Sequence, residues 1–330
     1  MKKLVSALLA ASALALAAVN MADARELRAA PAAPPPHPAN GVMYVNFAKY
    51  LPEESDGRLT ATILGPEVVG LTQMKDALQS QIAEVGNLLP LYFPADLPMM
   101  SVTGQLSLTG TNSQAMGAAL TEFVVNCEPC QQEMKDLGFI YLGSGASDVY
   151  EFLTVEPVRT AEDLKGLRLR SGGAPWARFA EHFGATPVQM PAGEIYNSLQ
   201  TGLIDGVVTG TSAVGDFKLD EVANSYTFGA PLGRISFYLV MNKAKYDSLS
   251  DEFQQAIDDN SGRMLSKSAE DGWNARAEQV KQSLIDAGDN NVIDLSEEEV
   301  AAFGAITEPV AEKIVGEAGN EDVLSVMSGM

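Results

Sequence analysis

The stretch of sequence that decides the fold is LKGLRLRSGGAPWARFAEHFGATPVQMPAGEIYNSLQTGLIDGVVTG, residues 164–210. Apolar residues alternate with polar ones in some segments and recur every three or four residues in others, which indicates strands separated by short helices. The predicted strands are 167–171, 186–190 and 203–208, and the predicted helices are 175–183 and 194–201. Strands and helices at this spacing form a parallel sheet with right-handed crossovers, so the stretch predicts an α/β fold.

The first strand of this unit places an arginine where a ligand can reach it. In 167–171 the two leucines face one side of the sheet, and Arg168 and Arg170 face the other. Ligands of open α/β sheets bind beyond the carboxyl ends of the strands, where Arg170 and Thr209 fall. Trp176 begins a helix aimed at the same edge. Arg168 lies further from that edge, so we expect it to pair on the surface.

The N-terminal segment predicts an exported protein. Two lysines, an apolar run and a small-residue cleavage site form a secretory signal peptide at 1–24, cleaved after Ala24. Its removal takes away two lysines and one aspartate, so the formal net charge changes from -21 to -22. A chain this acidic argues against nucleic acid as a partner, because the phosphate backbone requires a basic surface. We expect a periplasmic monomer that binds an anion by concentrating its few cations in a cleft.

The length of the chain and an internal sequence similarity predict two lobes. The mature chain exceeds the usual size of one compact domain. The segment ALQSQIAEVG at 77–86 resembles SLQTGLIDGV at 198–207, and each ends a run of strands alternating with helices. The strand 237–241 follows the second run and takes the chain back to the first lobe. The expected boundaries are 25–147 plus about 236–275 for lobe 1, and 148–235 plus about 276–330 for lobe 2.

Several motifs together resemble those of the periplasmic solute-binding proteins of TRAP transporters, the DctP-type family. They are LKGLRLR at 164–170, GATPV at 184–188, EIYNSLQTG at 194–202, Asp205-Gly206, SDGRL at 55–59 and VMNK at 240–243. The resemblance extends over nearly all of the mature chain. It implies a two-lobed periplasmic binding protein fold, each lobe a mostly parallel sheet with flanking helices. It also implies a hinge that closes on a small organic acid, and delivery of that acid to a membrane permease.

The same resemblance identifies Arg170 with the arginine that holds the substrate carboxylate. A guanidinium offers a planar fork of donors that a carboxylate takes two at a time, so lysine would substitute poorly. Tyr150 stands where sialic-acid-binding relatives carry a second arginine, which argues against sialic acid as the ligand. The ligand predicted is therefore a small organic acid, with dicarboxylates among the candidates.

Further candidate contacts come from loops at strand ends. His37 in PPPHP follows the first strand, and Tyr92 follows the third strand of the first lobe. A loop histidine among prolines is usually only solvated, and Trp176 and Thr209 also have ordinary structural explanations. The expected ligand contacts are Arg170, Trp176, Thr209, Tyr92, His37 and Tyr150. We expect no catalytic residue, metal ligand or cofactor.

One motif leaves a different class of function open. Cys127-Glu128-Pro129-Cys130 has the spacing of a redox centre, and a helix beginning at Pro129 would stabilise a thiolate. In an oxidising compartment the two thiols would instead form a local disulfide, which we favour. The alternative function is an exported α/β enzyme or a thiol oxidoreductase that uses Cys127 and Cys130.

Overall fold

The computed structural model describes residues 24–105, 108 and 113–317, which form two sheets surrounded by helices. The strands are β1 (Arg25–Ala30), β2 (Leu59–Ile63), β3 (Val85–Leu88), β4 (Phe139–Ala146), β5 (Tyr150–Thr154), β6 (Arg168–Ser171), β7 (Thr186–Gln189), β8 (Gly206–Gly210), β9 (Ser225–Phe228), β10 (Ser236–Asn242) and β11 (Asn291–Asp294). Residues 1–23 of the predicted signal peptide and residues 318–330 of the predicted second lobe lie outside the described residues.

Helices make up most of the remaining structure. The α-helices are Val45–Glu54, Met74–Gln79, Pro98–Gln105, Ser113–Asn126, Glu128–Asp136, Ala174–His182, Ile195–Gln200, Ser212–Asp216, Lys243–Asp247, Asp251–Lys267, Ala275–Ala287 and Glu297–Glu317. The 3₁₀ turns are Leu71–Gln73, Pro90–Tyr92, Ala161–Leu164, Ala192–Glu194 and Leu219–Glu221, and the π-helices are Ala39–Tyr44 and Ser268–Asn274. Within the described part of the chain, none of them combines the length and the apolar character that a membrane crossing requires.

The first sheet has the strand order β2-β1-β3-β10-β4. β1 runs parallel to both β2 and β3, as the strand and helix pattern upstream of residue 90 predicts. β10 runs antiparallel to β3 and to β4. Two of the four strand pairs are therefore antiparallel, so the expectation of a mostly parallel sheet is wrong for this lobe.

The second sheet has the order β11-β9-β5-β8-β6-β7 and is also mixed. The unit at 164–210 forms as predicted, with β6 parallel to β7 and to β8. β5 lies antiparallel to both β8 and β9, because it enters this sheet from the opposite direction. Arg170 pairs in register with Val188 on one side and Val207 on the other, so the arginine lies in the interior of the sheet.

The helix Ala174–His182 shows how the local sequence fixes the second lobe. Pro175 occupies its first turn, where the missing N–H costs no helical hydrogen bond. Trp176, Phe179 and Ala180 form its buried stripe. The helix ends at Gly184, whose φ of +77° is a conformation that other residues rarely adopt. The buried stripe packs on the helix Glu297–Glu317, whose Phe303 and Val310 belong to the same core.

In the ranges that the structure describes, the chain passes between the two sheets at three places. Residues 147–149 connect β4 to β5, and residues 229–235 connect β9 to β10. The third passage follows Trp273. The π-helix that ends at Asn274 packs with the first sheet's core, whereas Ala275–Ala287 packs Val280 and Leu284 into the second. All three passages lie close to the cavity described next.

Candidate ligand-binding site

A cavity lies between the two sheets, walled by residues from both. It encloses about 690 Å³ free of protein atoms, a volume that includes some open solvent. The residues predicted from sequence that line it are Arg170, Thr209, Tyr92, His37 and Tyr150. Five side chains from separate segments of the chain are thus brought to one place.

Arg170 is held rigidly at the second-lobe wall. Its side chain is 2% exposed, and its Nε and Nη2 donate to the Met190 carbonyl at 3.1 and 2.9 Å. Nη1 donates more weakly to the Val208 carbonyl at 3.4 Å. Three of the five guanidinium N–H groups are therefore on backbone carbonyls, which orient the plane and leave donors on the terminal nitrogens. No described carboxylate forms an ion pair with Arg170. Arg168 instead pairs with Asp205 at the surface, as expected.

Tyr150 lies between Arg170 and the core. Burial raises the pKa of its phenol and the nearby Arg170 charge opposes that rise, so the group stays neutral. The Trp176 ring packs on its far side, with centroids 4.7 Å apart and an interplanar angle of 32°. Trp176 is fully buried and donates its Nε1 proton to the Leu232 carbonyl at 2.9 Å. Trp176 does not line the cavity, so its position is that of a support for Tyr150, not of a ligand contact.

His37 belongs to an aromatic wall formed by His37, Phe217, Phe237 and Trp273. The His37 ring meets Trp273 edge-on at 4.8 Å and Phe217 at 5.8 Å, and the Phe237 and Trp273 rings are 5.7 Å apart. Burial, with a smaller effect of the nearby Arg276 charge, lowers the pKa of His37 to about 3. The imidazole is therefore neutral at pH 7 and adds no positive charge to the cavity.

Tyr92 ends a turn that reaches across to the other lobe. The turn Pro90–Tyr92 follows β3, and the preceding side chain in it, Leu91, packs against the second-lobe core. A Cβ added at Gly173 would lie 3.6 Å from Leu91. The two lobes are thus in contact beside the cavity, with Tyr92 on the first-lobe side.

Several residues that line the cavity were not predicted from the sequence. They are Asp148, Ser212, Phe217, Phe237 and Trp273. Asp148 is 3% exposed and accepts two hydrogen bonds from Ser212, from its N–H at 2.9 Å and its hydroxyl at 2.7 Å. A signal was available for Ser212, because it lies just beyond the carboxyl end of β8, close to Thr209 in sequence. Asp148 and Trp273 lie at passages between the lobes, and no local pattern marks such positions.

Few ionisable groups line the cavity in the described part of the chain. Among the described residues that line it, Arg170 is the one side chain that carries a positive charge at pH 7. No group of three His, Cys, Asp or Glu residues in the described ranges is placed to hold a metal ion. The two cysteines are joined in a disulfide, at the start of the helix Glu128–Asp136 and away from the cavity.

Two lobes around a cavity with one buried cation define a solute-binding protein. The sequence matches the family Bacterial extracellular solute-binding protein, family 7 (DctP), over residues 30–317. The chain belongs to that family. It is the periplasmic substrate-binding subunit of a TRAP transporter, which captures a small organic acid and delivers it to a membrane permease. The family prediction is confirmed, and the alternative of an exported enzyme or thiol oxidoreductase gains no support.

Individual relatives agree with this assignment. The chain is 26% identical over 299 residues to a solute-binding protein of Chromohalobacter salexigens, an alignment that covers 86% of this chain and 83% of the relative. It is 30% identical over 170 residues, half of each chain, to the ectoine-binding periplasmic protein TeaA of Halomonas elongata. A TRAP solute-binding protein from an unidentified marine microbe, specific for aromatic acids and solved with 3-hydroxybenzoate, superposes with a TM-score of 0.81. That structure is 25% identical and covers 92% of this chain and 96% of its own.

Proposed function

We propose that this subunit captures a small monocarboxylate with an apolar, flat body, and that Arg170 holds the carboxylate. The observation that carries the proposal is the set of charges at the cavity: Arg170 is the one cation among the described lining residues, the one carboxylate there, Asp148, is attracted by Arg234, and most of the remaining wall is apolar or aromatic. One cation neutralises one carboxylate. A second carboxylate would be buried without a partner, at a cost of several kcal/mol on the order of that for any unpaired buried ion.

The aromatic wall supports a flat ligand body. Rings that meet edge-on present faces and edges against which another ring can stack or pack. A sugar acid would need several hydrogen-bond partners for its hydroxyls, and the side chains His37, Phe217, Phe237 and Trp273 offer few. The structural relative at 25% identity binds aromatic acids, which is consistent with the same class of ligand here.

The remaining site residues would act around that anchor. Tyr150 would keep the guanidinium in place and close one side of the carboxylate, and Thr209 and Tyr92 would contribute hydroxyl groups from opposite lobes. Trp176 would act through Tyr150. We place the lobe boundaries at the three passages, so that lobe 1 comprises 25–147 and about 236–275 and lobe 2 comprises 148–235 and about 276–330. The mature chain would begin at Arg25 and function as a monomer without catalysis.

A thermal-shift screen of the mature protein tests this proposal. The ligands are benzoate, cyclohexanecarboxylate, succinate, glucuronate and uncharged benzamide, because a ligand that binds only the folded state raises the unfolding temperature. We expect benzoate to stabilise most, with benzamide, succinate and glucuronate having little effect. Arg170→Ala should abolish the benzoate shift, whereas Arg168→Ala, changed two residues earlier in the same strand, should keep it.

Two results would overturn the proposal. A larger shift with succinate or glucuronate than with the ring acids would reject the ligand class, and a benzoate shift that survives in Arg170→Ala would reject the anchor. Mass spectrometry of the ligand after incubation checks the absence of catalysis: an altered ligand would indicate turnover.

A further inference from the structure

The cavity that binds an anion also contains a buried carboxylate. Asp148 is the second residue after β4, in the first passage between the lobes, and lines the cavity. Both of its oxygens are engaged by one residue: Ser212 donates its N–H to Oδ2 and its hydroxyl proton to Oδ1. A carboxylate has about four lone-pair sites, so on the order of two remain for other donors. A negatively charged side chain in this position would repel an anionic ligand unless the ligand offered it a donor.

A buried arginine balances the charge of Asp148. Arg234, in the second passage, is 1% exposed and attracts the Asp148 carboxylate electrostatically. Its Nη1 donates to the Ser147 carbonyl at 3.3 Å, while Nε and Nη2 have no hydrogen-bond partner among the described residues. Burial raises the pKa of Asp148 to about 6, and the Ser212 hydrogen bonds and Arg234 oppose the rise. Asp148 is therefore mainly ionised at pH 7 and acts as an acceptor.

Asp148 and Arg170 both lie near Tyr150. The Tyr150 phenol is electrostatically coupled to both, and its backbone pairs in register with Gly210. Asp148 packs closely on Gly210, where an added Cβ would lie 2.5 Å from Oδ1. Because Asp148 and Arg170 line the same cavity, a ligand whose carboxylate is on Arg170 can turn a donor on a neighbouring carbon toward Asp148.

We propose that Asp148 determines specificity by accepting a hydrogen bond from a donor group on the ligand, so that the substrate is an aromatic acid with a hydroxyl or ammonium group close to its carboxylate. This inference rests on the proposed function and narrows it. An acid without the donor loses the bond and also shields the Asp148 carboxylate from water, so it binds more weakly. A keto acid brings a second acceptor against the carboxylate and binds more weakly still.

Five matched probes test the inference with the mature wild-type protein. They share one carbon skeleton: 3-phenylpropanoate, 3-phenyllactate, 3-hydroxy-3-phenylpropanoate, phenylpyruvate and phenylalanine. Calorimetry gives the dissociation constant of each. At least one donor-bearing probe should bind roughly ten- to a hundredfold more tightly than 3-phenylpropanoate, as expected for a hydrogen bond to a charged group. The two hydroxy acids against phenylalanine separate a hydroxyl from an ammonium donor.

Asp148→Asn assigns the effect to this residue. The amide retains the shape, can accept from the Ser212 N–H and can donate to its hydroxyl, and it turns an N–H toward the cavity. The affinity ratio of the best donor-bearing acid to phenylpyruvate should fall at least tenfold. The affinity for 3-phenylpropanoate, which offers no donor, should not fall, and this serves as the control for an intact pocket.

The outcomes distinguish an error in the role of Asp148 from an error in the proposed ligand class. If 3-phenylpropanoate and the donor-bearing probes bind equally well, the role of Asp148 is wrong and the aromatic acid proposal stands. If the donor-bearing probes bind better and Asp148→Asn leaves the ratio of their affinities to that of phenylpyruvate unchanged, another residue accepts the hydrogen bond from the donor. The inference is then overturned as well. If no probe of the five binds, the proposed ligand class itself fails. If Asp148→Asn does not fold, the comparison of 3-phenylpropanoate with the donor-bearing probes in the wild-type protein still decides whether a donor on the ligand matters.

Discussion

Replacing Arg170 with lysine separates the shape of the cation from its charge. The guanidinium donates to the Met190 carbonyl with two nitrogens and to the Val208 carbonyl with the third, and it keeps one N–H on each terminal nitrogen for the ligand. An ammonium is a point charge without a planar fork, so it cannot hold the carbonyl and both carboxylate oxygens in the same geometry. We therefore expect Arg170→Lys to keep a charged cavity and to lose affinity.

The size of the loss follows from the bonds that change. One charge-assisted hydrogen bond to the ligand contributes about 1.5–3 kcal/mol, and a tenfold change in Kd corresponds to about 1.4 kcal/mol. The dissociation constant should therefore rise about ten- to a hundredfold. The ligand-free protein should also lose about 1–3 kcal/mol, because the buried Met190 carbonyl loses its partners.

Calorimetry with benzoate and urea unfolding of the ligand-free protein measure the two effects. Arg168→Lys is the matched control, since this half-exposed arginine on the same strand pairs only with Asp205 at the surface. Its Kd should stay within about twofold of wild type, as surface ion pairs contribute roughly 0–1 kcal/mol. A Kd for Arg170→Lys as close to wild type as that of the control would refute the bidentate role.

Three further changes have definite expectations. The folded state holds the pKa of His37 at about 3, below the value in the unfolded chain. As the pH falls from the unfolded pKa toward the folded pKa, only the unfolded chain takes up this proton, and the folded state therefore loses stability. His37→Gln should therefore lose less stability than wild type between pH 7.5 and 4.5, by on the order of 1–2 kcal/mol in urea unfolding, and an equal loss would contradict the neutral imidazole. Trp176→Phe removes the donor to the Leu232 carbonyl and should lower the free energy of unfolding, measured by circular dichroism, by about 2–4 kcal/mol. Its benzoate affinity should change less than tenfold. A larger change in affinity with little loss of stability would mean direct ligand contact. Replacing Cys127 and Cys130 with serine opens a small loop and should cost roughly 2 kcal/mol with unchanged benzoate affinity, so a loss of binding would contradict a purely structural disulfide.

The local architecture around Arg170 could be predicted because each element carries its own signal. The alternation in 167–171, the proline and glycine that bound the next helix, and the glycine after 194–201 are all read within a few residues. The position of Arg170 at a strand end followed from the same pattern. Trp176 shows the limit of such reasoning: its spacing with Phe179 marks a buried stripe, yet a ring at a helix start near the cavity also suggested ligand contact.

Strand direction and the full cavity could not be predicted in this way. A strand's own sequence does not record which way it runs, so the reversed directions of β5 and β10 follow only from how the chain enters each sheet. Asp148, Phe217 and Trp273 lie far apart in sequence and meet through tertiary packing alone. Even the charge state of His37 depends on neighbours that no local pattern brings to it.

The three passages between the lobes have a consequence for how this protein can evolve. Asp148 lies in the first passage, Ile235 ends the second, and Trp273 comes just before the third, and all three line the cavity. The segments that connect the two lobes therefore also line the cavity. We expect a substitution at one of these three positions to change both the acid that fits and the movement of one lobe toward the other.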